Sequence, residues 1–332
     1  MFVIDNYVLA VFLCVITMLC WGSWANTQKL ASKKWGFPLF YWDYTLGVVF
    51  LSLVFGLTLG SSGDSGQAFL PNLGDATQNA IFYALLGGIV FNIANLLLVT
   101  AIDIAGMAIA FPIGIGIALV LGVIVNYVAL PVGDPVLLFT GVGFVTLAIV
   151  VDALVYKRIS NGAATIKGIV ISLAAGILMG FFYRFVAASM SVDFSNPTKG
   201  LLTPYTAVFI FSVGIFISNF IFNTFFMYKP LSGDKVTYQD YFKVGTPKLH
   251  LIGVLGGVIW CLGFILNMIA AGEAGFAISY GLGQGATMVA AIWGIFIWKE
   301  FKNAPKGTNN LIGLMFLLFI VGLSLIIMAK TS

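Results

Sequence analysis

The chain has 332 residues, of which 60% are hydrophobic and only 8% charged, with a formal net charge of +4. A soluble domain carries about 25% charged residues, so a chain this apolar has too little polar surface to face water and reads as lipid-embedded. The three cysteines, Cys14, Cys20 and Cys261, all lie in apolar runs without metal-ligand spacing, and one histidine, His250, has no obvious partner, which excludes a zinc site and a nucleophilic triad.

Ten apolar runs are long enough to span a bilayer: 7–28, 39–60, 80–101, 106–128, 135–156, 166–190, 203–227, 249–271, 274–298 and 309–329. They are too long and too continuously apolar for barrel strands, so the fold class is an all-α membrane protein. The first run lacks a basic flank and a small-residue cleavage site, and so reads as a span and not a signal peptide. Gly60 to Gly66 forms a flexible loop, and Asp134-Pro135, Asn196-Pro197 and Ala304-Pro305 punctuate later connections.

Basic residues set the direction. Lys29, Lys33 and Lys34 follow span one; Lys157, Arg158 and Lys167 lie between five and six; Lys229, Lys235, Lys243 and Lys248 between seven and eight; Lys299, Lys302 and Lys306 between nine and ten. The opposite side has Lys199 and Lys330. The positive-inside rule puts both termini outside, and the expected location is a bacterial inner membrane.

The two halves share a register. Gly87-Gly88 aligns with Gly256-Gly257, Ala105-Gly106 with Ala274-Gly275, and Gly114 and Gly116 with Gly283 and Gly285. Five spans in each half, 1–156 and 166–332, joined by a linker at 157–165, would enter the membrane with opposite sense. Ten helices in two inverted five-helix repeats place a solute site in a central cavity and suit alternating access.

Polar residues inside the spans mark candidates for that cavity. Asn92 and Asn95 stand at i and i+3 on span three. Asn267 falls seven residues after Trp260 on span eight, and Gln284 four after Tyr280 on span nine. One amide alone reads as interhelical glue; a set over three spans reads as a cavity lining for a neutral polar ligand. Trp21 and Trp24 share a face of span one, and Trp260 lies too deep for an interfacial belt. Tyr183 and Arg184 stand in span six, where Arg184 is either a gate or counter-charge or a residue snorkelling to headgroups. Asp43, one turn into span two, is a proton-coupling candidate or else a partner of Lys29, Lys33 or Lys34. Asp103, Asp152 and Glu273 are expected to be solvated at helix ends. Gly281 to Gly285 is a packing motif and not a nucleotide loop, and no Walker sequence occurs.

These residues resemble the ureide permeases of the drug/metabolite transporter superfamily. The resemblance rests on Gly22-Ser-Trp24, then Tyr41-x-Asp43-Tyr44, then Gly87-Gly88 with Asn92, Asn95 and Asn126-Tyr127. In the second half it rests on Tyr228-x-Pro230, Gly256-Gly257, Gly263, Ala271-Gly272, Gln284 and Trp293-Gly294. Sugar-carrying relatives of the glucose/ribose and rhamnose type share the Trp21-Gly22-Ser23 start. The resemblance implies a central cavity and proton-coupled uptake of neutral oxo-heterocycles such as allantoin or uracil. Plant members carry a long central loop, and here the link from Tyr156 to Thr165 is short. The expected partners are a small polar solute, protons and the lipid bilayer, with no nucleic acid, no cofactor, no metal and no enzymatic role. A sugar permease of the same fold is the alternative, and drug or metabolite export a more distant one.

Overall fold

The computed structural model describes residues 1–31, 35–159 and 165–331. Lys33, Lys34 and linker positions 160–164 lie outside the described residues. Among those described, ten helices are long and apolar enough to cross a membrane: α1 (Tyr7–Ala31), α2 (Phe37–Leu57), α3 (Gln78–Ala105), α4 (Met107–Ala129), α5 (Pro135–Lys157), α6 (Ile166–Ser189), α7 (Pro204–Tyr228), α8 (Pro247–Ala274), α9 (Phe276–Ile297) and α10 (Thr308–Met328). The only non-helical pairing among the described residues is an isolated bridge between Met190 and Leu202. This is a multi-pass membrane protein.

Local chemistry starts these helices where the sequence changes from polar to apolar. Asn6, Thr77, Asp134, Thr165 and Thr246 each accept a backbone N–H of the first turn through the side chain. Proline occupies the first turn of α2, α5, α7 and α8, where its missing N–H costs no hydrogen bond. Two shorter helices, Phe69–Asp75 and Tyr238–Val244, lie in the connections.

Both termini lie at one end of the bundle, the far end. There Phe2 N–H donates to Leu59, Gly66 to Ser195, Thr77 to Gly200 and Asp134 to Ala329. The opposite, basic end holds the lysine-rich connections, where Lys29 pairs with Glu300, Arg158 donates to the Lys306 carbonyl and Lys167 to the Leu231 carbonyl.

The main packing pairs are α3 with α6, α1 with α8, α2 with α8, α3 with α7, α4 with α6, α1 with α9 and α5 with α10. Each has a counterpart when five is added to or subtracted from the span numbers, α5 with α10 mapping onto itself. Close approach depends on glycine at matching places. A Cβ on Gly257 of α8 would lie 2.8 Å from the Tyr44 carbonyl carbon of α2, and one on Gly88 of α3 would lie 2.9 Å from the Ile215 nitrogen of α7. α3 turns into α4 through Gly106 (φ 75°), and α8 into α9 through Gly275 (φ 82°), a backbone region that glycine adopts without steric cost.

Three spans are irregular. α1 breaks at Trp24; α4 contains a π-helical turn at Phe111–Ile115 holding Pro112; and α9 breaks between Gly283 and Ala286 before a second π-helical turn at Trp293–Ile297. Such interruptions leave backbone groups free of the regular ladder and are tolerated in a membrane only where protein or a cavity surrounds them.

Two expectations need correction. Asp152 is buried, 2% exposed, because its face of α5 turns inward beside Tyr156 rather than out to water. His250 does have a partner, the Asp43 carboxylate at 2.9 Å, because the ends of α2 and α8 that carry them are packed together.

Candidate functional site

All three irregular spans border one cavity of about 310 Å³. Its lining comes from α1, α3, α4, α6, α8 and α9. Trp21, Phe91, Phe182 and Trp260 form the deep part near the middle of the spans. Gln28, Ile102 and Asp103 lie at the basic end, where Ala25 and Asp103 are exposed and form the mouth.

The deep wall is aromatic. The Trp21 and Trp260 rings stack with centroids 6.0 Å apart, and the Trp21 indole N–H donates to the Trp260 carbonyl at 3.3 Å. Phe91 packs on Trp260 at 4.4 Å, and Phe211 on Phe264 at 4.6 Å behind them. Aromatic faces offer a flat, apolar seat. The polar groups on the lining are few: Asn95, Gln284 and Thr287 in the depth, Gln28 and Asp103 toward the mouth. Among the described residues, Asp103 is the only charged side chain on the lining, and it sits where water reaches it.

Past the floor, toward the far end, the bundle is closed. The Tyr183 hydroxyl of α6 donates to Asn267 Oδ1 of α8 at 2.7 Å and shares a hydrogen bond of 2.9 Å with the Ser279 hydroxyl of α9. The Asn267 amide donates to the Ser279 carbonyl at 2.8 Å. All three residues are fully buried, so the seal links three spans with satisfied polar groups.

The structure therefore divides the residues expected from sequence. Trp21, Trp24, Asn95, Trp260 and Gln284 line the cavity. Tyr183 and Asn267 form the seal beneath it. Tyr280 donates to the Ala118 and Met179 carbonyls and so ties α9 to α4 and α6. Asn92 turns away: its amide donates to Ile215 O at 3.2 Å and Ser218 Oγ at 2.8 Å, joining α3 to α7. Arg184 is half-buried beside Tyr83 and off the cavity lining.

Asp43 is also off the cavity lining. It sits at the basic end in a cage of its own, accepting from Trp35 Nε1 at 3.2 Å and from the Tyr241 hydroxyl, with His250 Nδ1 at 2.9 Å. Tyr241 belongs to the connecting helix Tyr238–Val244. Burial, then the hydrogen bond to Asp43, raises its phenol above the ordinary range. Lys29, the lysine nearest in sequence among the described residues, pairs instead with Glu300.

Phe91, Phe111, Met179 and Phe182 also line the cavity, and the sequence does not single them out among 30 phenylalanines and 10 methionines. Helical spacing picks out polar residues against an apolar background, and it gives no such contrast for apolar liners. Pro112, inside the π-helical turn of α4, is the one sequence signal near them that marks where a span opens.

Comparison with known proteins bears on this arrangement. The chain is 24% identical to Ureide permease 1 of Arabidopsis thaliana over 100% of this chain and 99% of that protein. It is equally 24% identical, over 97% of this chain and 99% of the relative, to YxfA of Lactococcus lactis, a protein named for sugar uptake. A solved crystal structure shares the fold with a TM-score of 0.59 at 14% identity, covering 97% of this chain and 98% of that one. The ureide permease family matches residues 40–164 and 159–330, two stretches that overlap in the linker between α5 and α6. The chain belongs to the ureide permease family and is a transporter, not an enzyme.

Proposed function

We propose that this protein is a secondary active carrier that takes up a small neutral polar solute, a ureide, nucleobase or related heterocycle, together with protons. The observation that carries the reading is the cavity, open at the basic end and floored by Trp21, Phe91 and Trp260 at mid-span. A flat heterocycle fits between indole and phenyl faces, and Asn95 and Gln284 supply donors and acceptors for its polar edge. A charged solute would need a buried counter-charge, and among the described residues the only charge on the lining is Asp103 at the mouth.

Alternating access would follow from two inverted five-helix repeats, 1–156 and 166–332, joined by the short linker 157–165. The recurring packing pairs, and the matching glycines at 88 and 257 and at 106 and 275, support that reading. In this state the cavity faces the basic end. By the lysine distribution that end is cytoplasmic, with both termini outside a bacterial inner membrane. Proton coupling attaches to Asp43, whose carboxylate is hydrogen-bonded to the His250 imidazole, a side chain that serves proteins as a proton shuttle.

Uptake of labelled uracil and allantoin into proteoliposomes, with and without an inward proton gradient, tests the proposal. Gradient-driven accumulation is the expected result. The likeness to YxfA favours a second reading, sugar uptake. Accumulation of ribose or glucose that neither uracil nor allantoin competes would replace the first reading with the second.

A further inference from the structure

Seven buried side-chain atoms have no hydrogen-bond partner among the described residues: Asn92 Oδ1, Asn126 Oδ1, Asn219 Oδ1, Asn223 Oδ1, Asn95 Nδ2 and the hydroxyls of Tyr41 and Tyr44. They fall into two kinds. In the first four the amide nitrogen is already bonded, to Ile215 and Ser218, Gly122, Thr45 and Pro38 respectively. Only a carbonyl oxygen is left over, a common and mild defect. The last three are donors, and they lie together. The Asn95 amide faces the Tyr41 hydroxyl in a weak polar contact that falls short of a full hydrogen bond. The Tyr41 and Tyr44 rings stack at 5.2 Å. Tyr44 packs against Trp24 at 5.1 Å and against Trp260 at 6.4 Å, both on the cavity wall. Asn95 is 4% exposed and itself lines the cavity; Tyr41 and Tyr44 are fully buried directly behind it.

We propose that Asn95, Tyr41 and Tyr44 form a recognition subsite behind Trp24 for the carbonyl edge of the transported solute. The inference rests on the carrier function proposed above and narrows it to ligands bearing adjacent carbonyl acceptors. An unmet buried donor is costly, and three in one place are not expected of a wall that only packs. An amide and two phenols offer donors to acceptor oxygens, and the phenol oxygens accept an intervening N–H. That alternation matches the imide edge of a cyclic ureide. Trp24, at the break in α1, is the ring that separates the subsite from the open cavity. Its displacement by the solute would admit the carbonyl edge.

The test uses Tyr41→Phe, Tyr44→Phe and Asn95→Ala in the carrier, each of which removes the polar function without adding bulk. Two quantities are measured: uptake kinetics for uracil and allantoin, with ribose in parallel, and the thermal midpoint of the purified protein with and without uracil. Loss of one neutral hydrogen bond to the ligand corresponds to about a tenfold rise in KM. The expected result is that rise for uracil and allantoin, a loss of the uracil-induced thermal shift, and a ligand-free midpoint equal to or above wild type, because an unmet donor has been removed. A lowered ligand-free midpoint with unchanged KM would make the three groups structural and overturn the subsite, while leaving the carrier proposal intact. So would unchanged KM and midpoint, the mark of groups that hold only buried water. Wild-type uptake of ribose but neither uracil nor allantoin, or of none of the three, would overturn the function proposed above and the subsite with it.

Discussion

Substitution of Gly257 by alanine is the sharpest test of how these helices meet. The added methyl would stand 2.8 Å from the carbonyl carbon of Tyr44 and closer still to its oxygen, with the nitrogen of Val48, one turn along α2, at 3.0 Å. Ordinary contact begins at about 3.4 Å, so α2 and α8 must part by at least about 0.6 Å. Every obstructing atom is backbone, and no side chain can rotate out of the way. Parting the pair also disturbs Tyr44, which buttresses Trp24 and Trp260 of the cavity wall. Overpacking of this kind costs roughly 1–3 kcal/mol. Thermal unfolding of the purified carrier, followed by loss of the monodisperse peak in detergent, should show a midpoint several degrees below wild type. Gly88→Ala, blocked by Phe211 and Ile215 backbone, should behave alike. Gly313→Ala, with no atom of another element within 4 Å, should match wild type. A Gly257→Ala protein as stable as Gly313→Ala would refute the close packing of α2 on α8.

Three further outcomes follow from the geometry. Tyr183→Phe should strip the far-end seal of its central donor and leave Asn267 Oδ1 unmet, worth about 1–3 kcal/mol; a reporter thiol introduced by Ala187→Cys should then react several-fold faster with an impermeant maleimide applied from the far end, and an unchanged rate would mean that Tyr183 does not hold the seal. Gln284→Ala and Trp24→Ala should raise solute KM with stability little changed, whereas Asn92→Ala should lower the thermal midpoint with KM unchanged, since Asn92 joins α3 to α7; the reverse pattern would reassign both sites. Asp240 closes a capping box at the helix Tyr238–Val244, and hydrogen bonds from the Thr237 hydroxyl and N–H hold its carboxyl below the usual carboxylate range. Because the folded pKa is lowered, the cap is complete above the ordinary carboxylate pKa and is lost only as pH falls through the depressed value. Asp240→Asn should therefore increase proteolytic nicking in this connection at neutral pH, and a nicking rate equal to wild type would show that the cap does not order it.

The spans were legible in the sequence because lipid imposes one rule over about twenty residues, and the lysines marked which connections gather at one end of the bundle. Asn92 and Asn95 show where legibility stops. Positions three apart on a helix share a broad face, yet they differ by about 60° around it. That angle is enough to put Asn95 on the cavity and Asn92 against α7. Trp260 and Asn267 share a face of α8 but stand about two turns apart along it, one on the wall and the other in the seal. Asp152 and His250 depart from their sequence pattern for another reason. A residue near a span end is solvated only if its neighbours leave it so, and here α5 turns Asp152 inward while α2 brings Asp43 to His250. Of the aromatic floor, Trp21 and Trp260 could be read, but Phe91 and Phe182 could not, since phenylalanine is what lipid-facing surfaces are also made of.

The turns at Gly106 and Gly275 join α3 to α4 and α8 to α9 with a single residue between helices. Each pair has the form of a bent lever with its corner at the glycine. One corner stands at the open mouth, beside Asp103, and the other at the sealed end, beside Phe276. In the proposed alternating access, closing the first and opening the second would swing these arms, carrying Asn95 on one and Trp260 and Gln284 on the other. Under the proposed alternating access, the two walls of the cavity would ride on opposite pivots, and the solute would travel little while the protein turned about it.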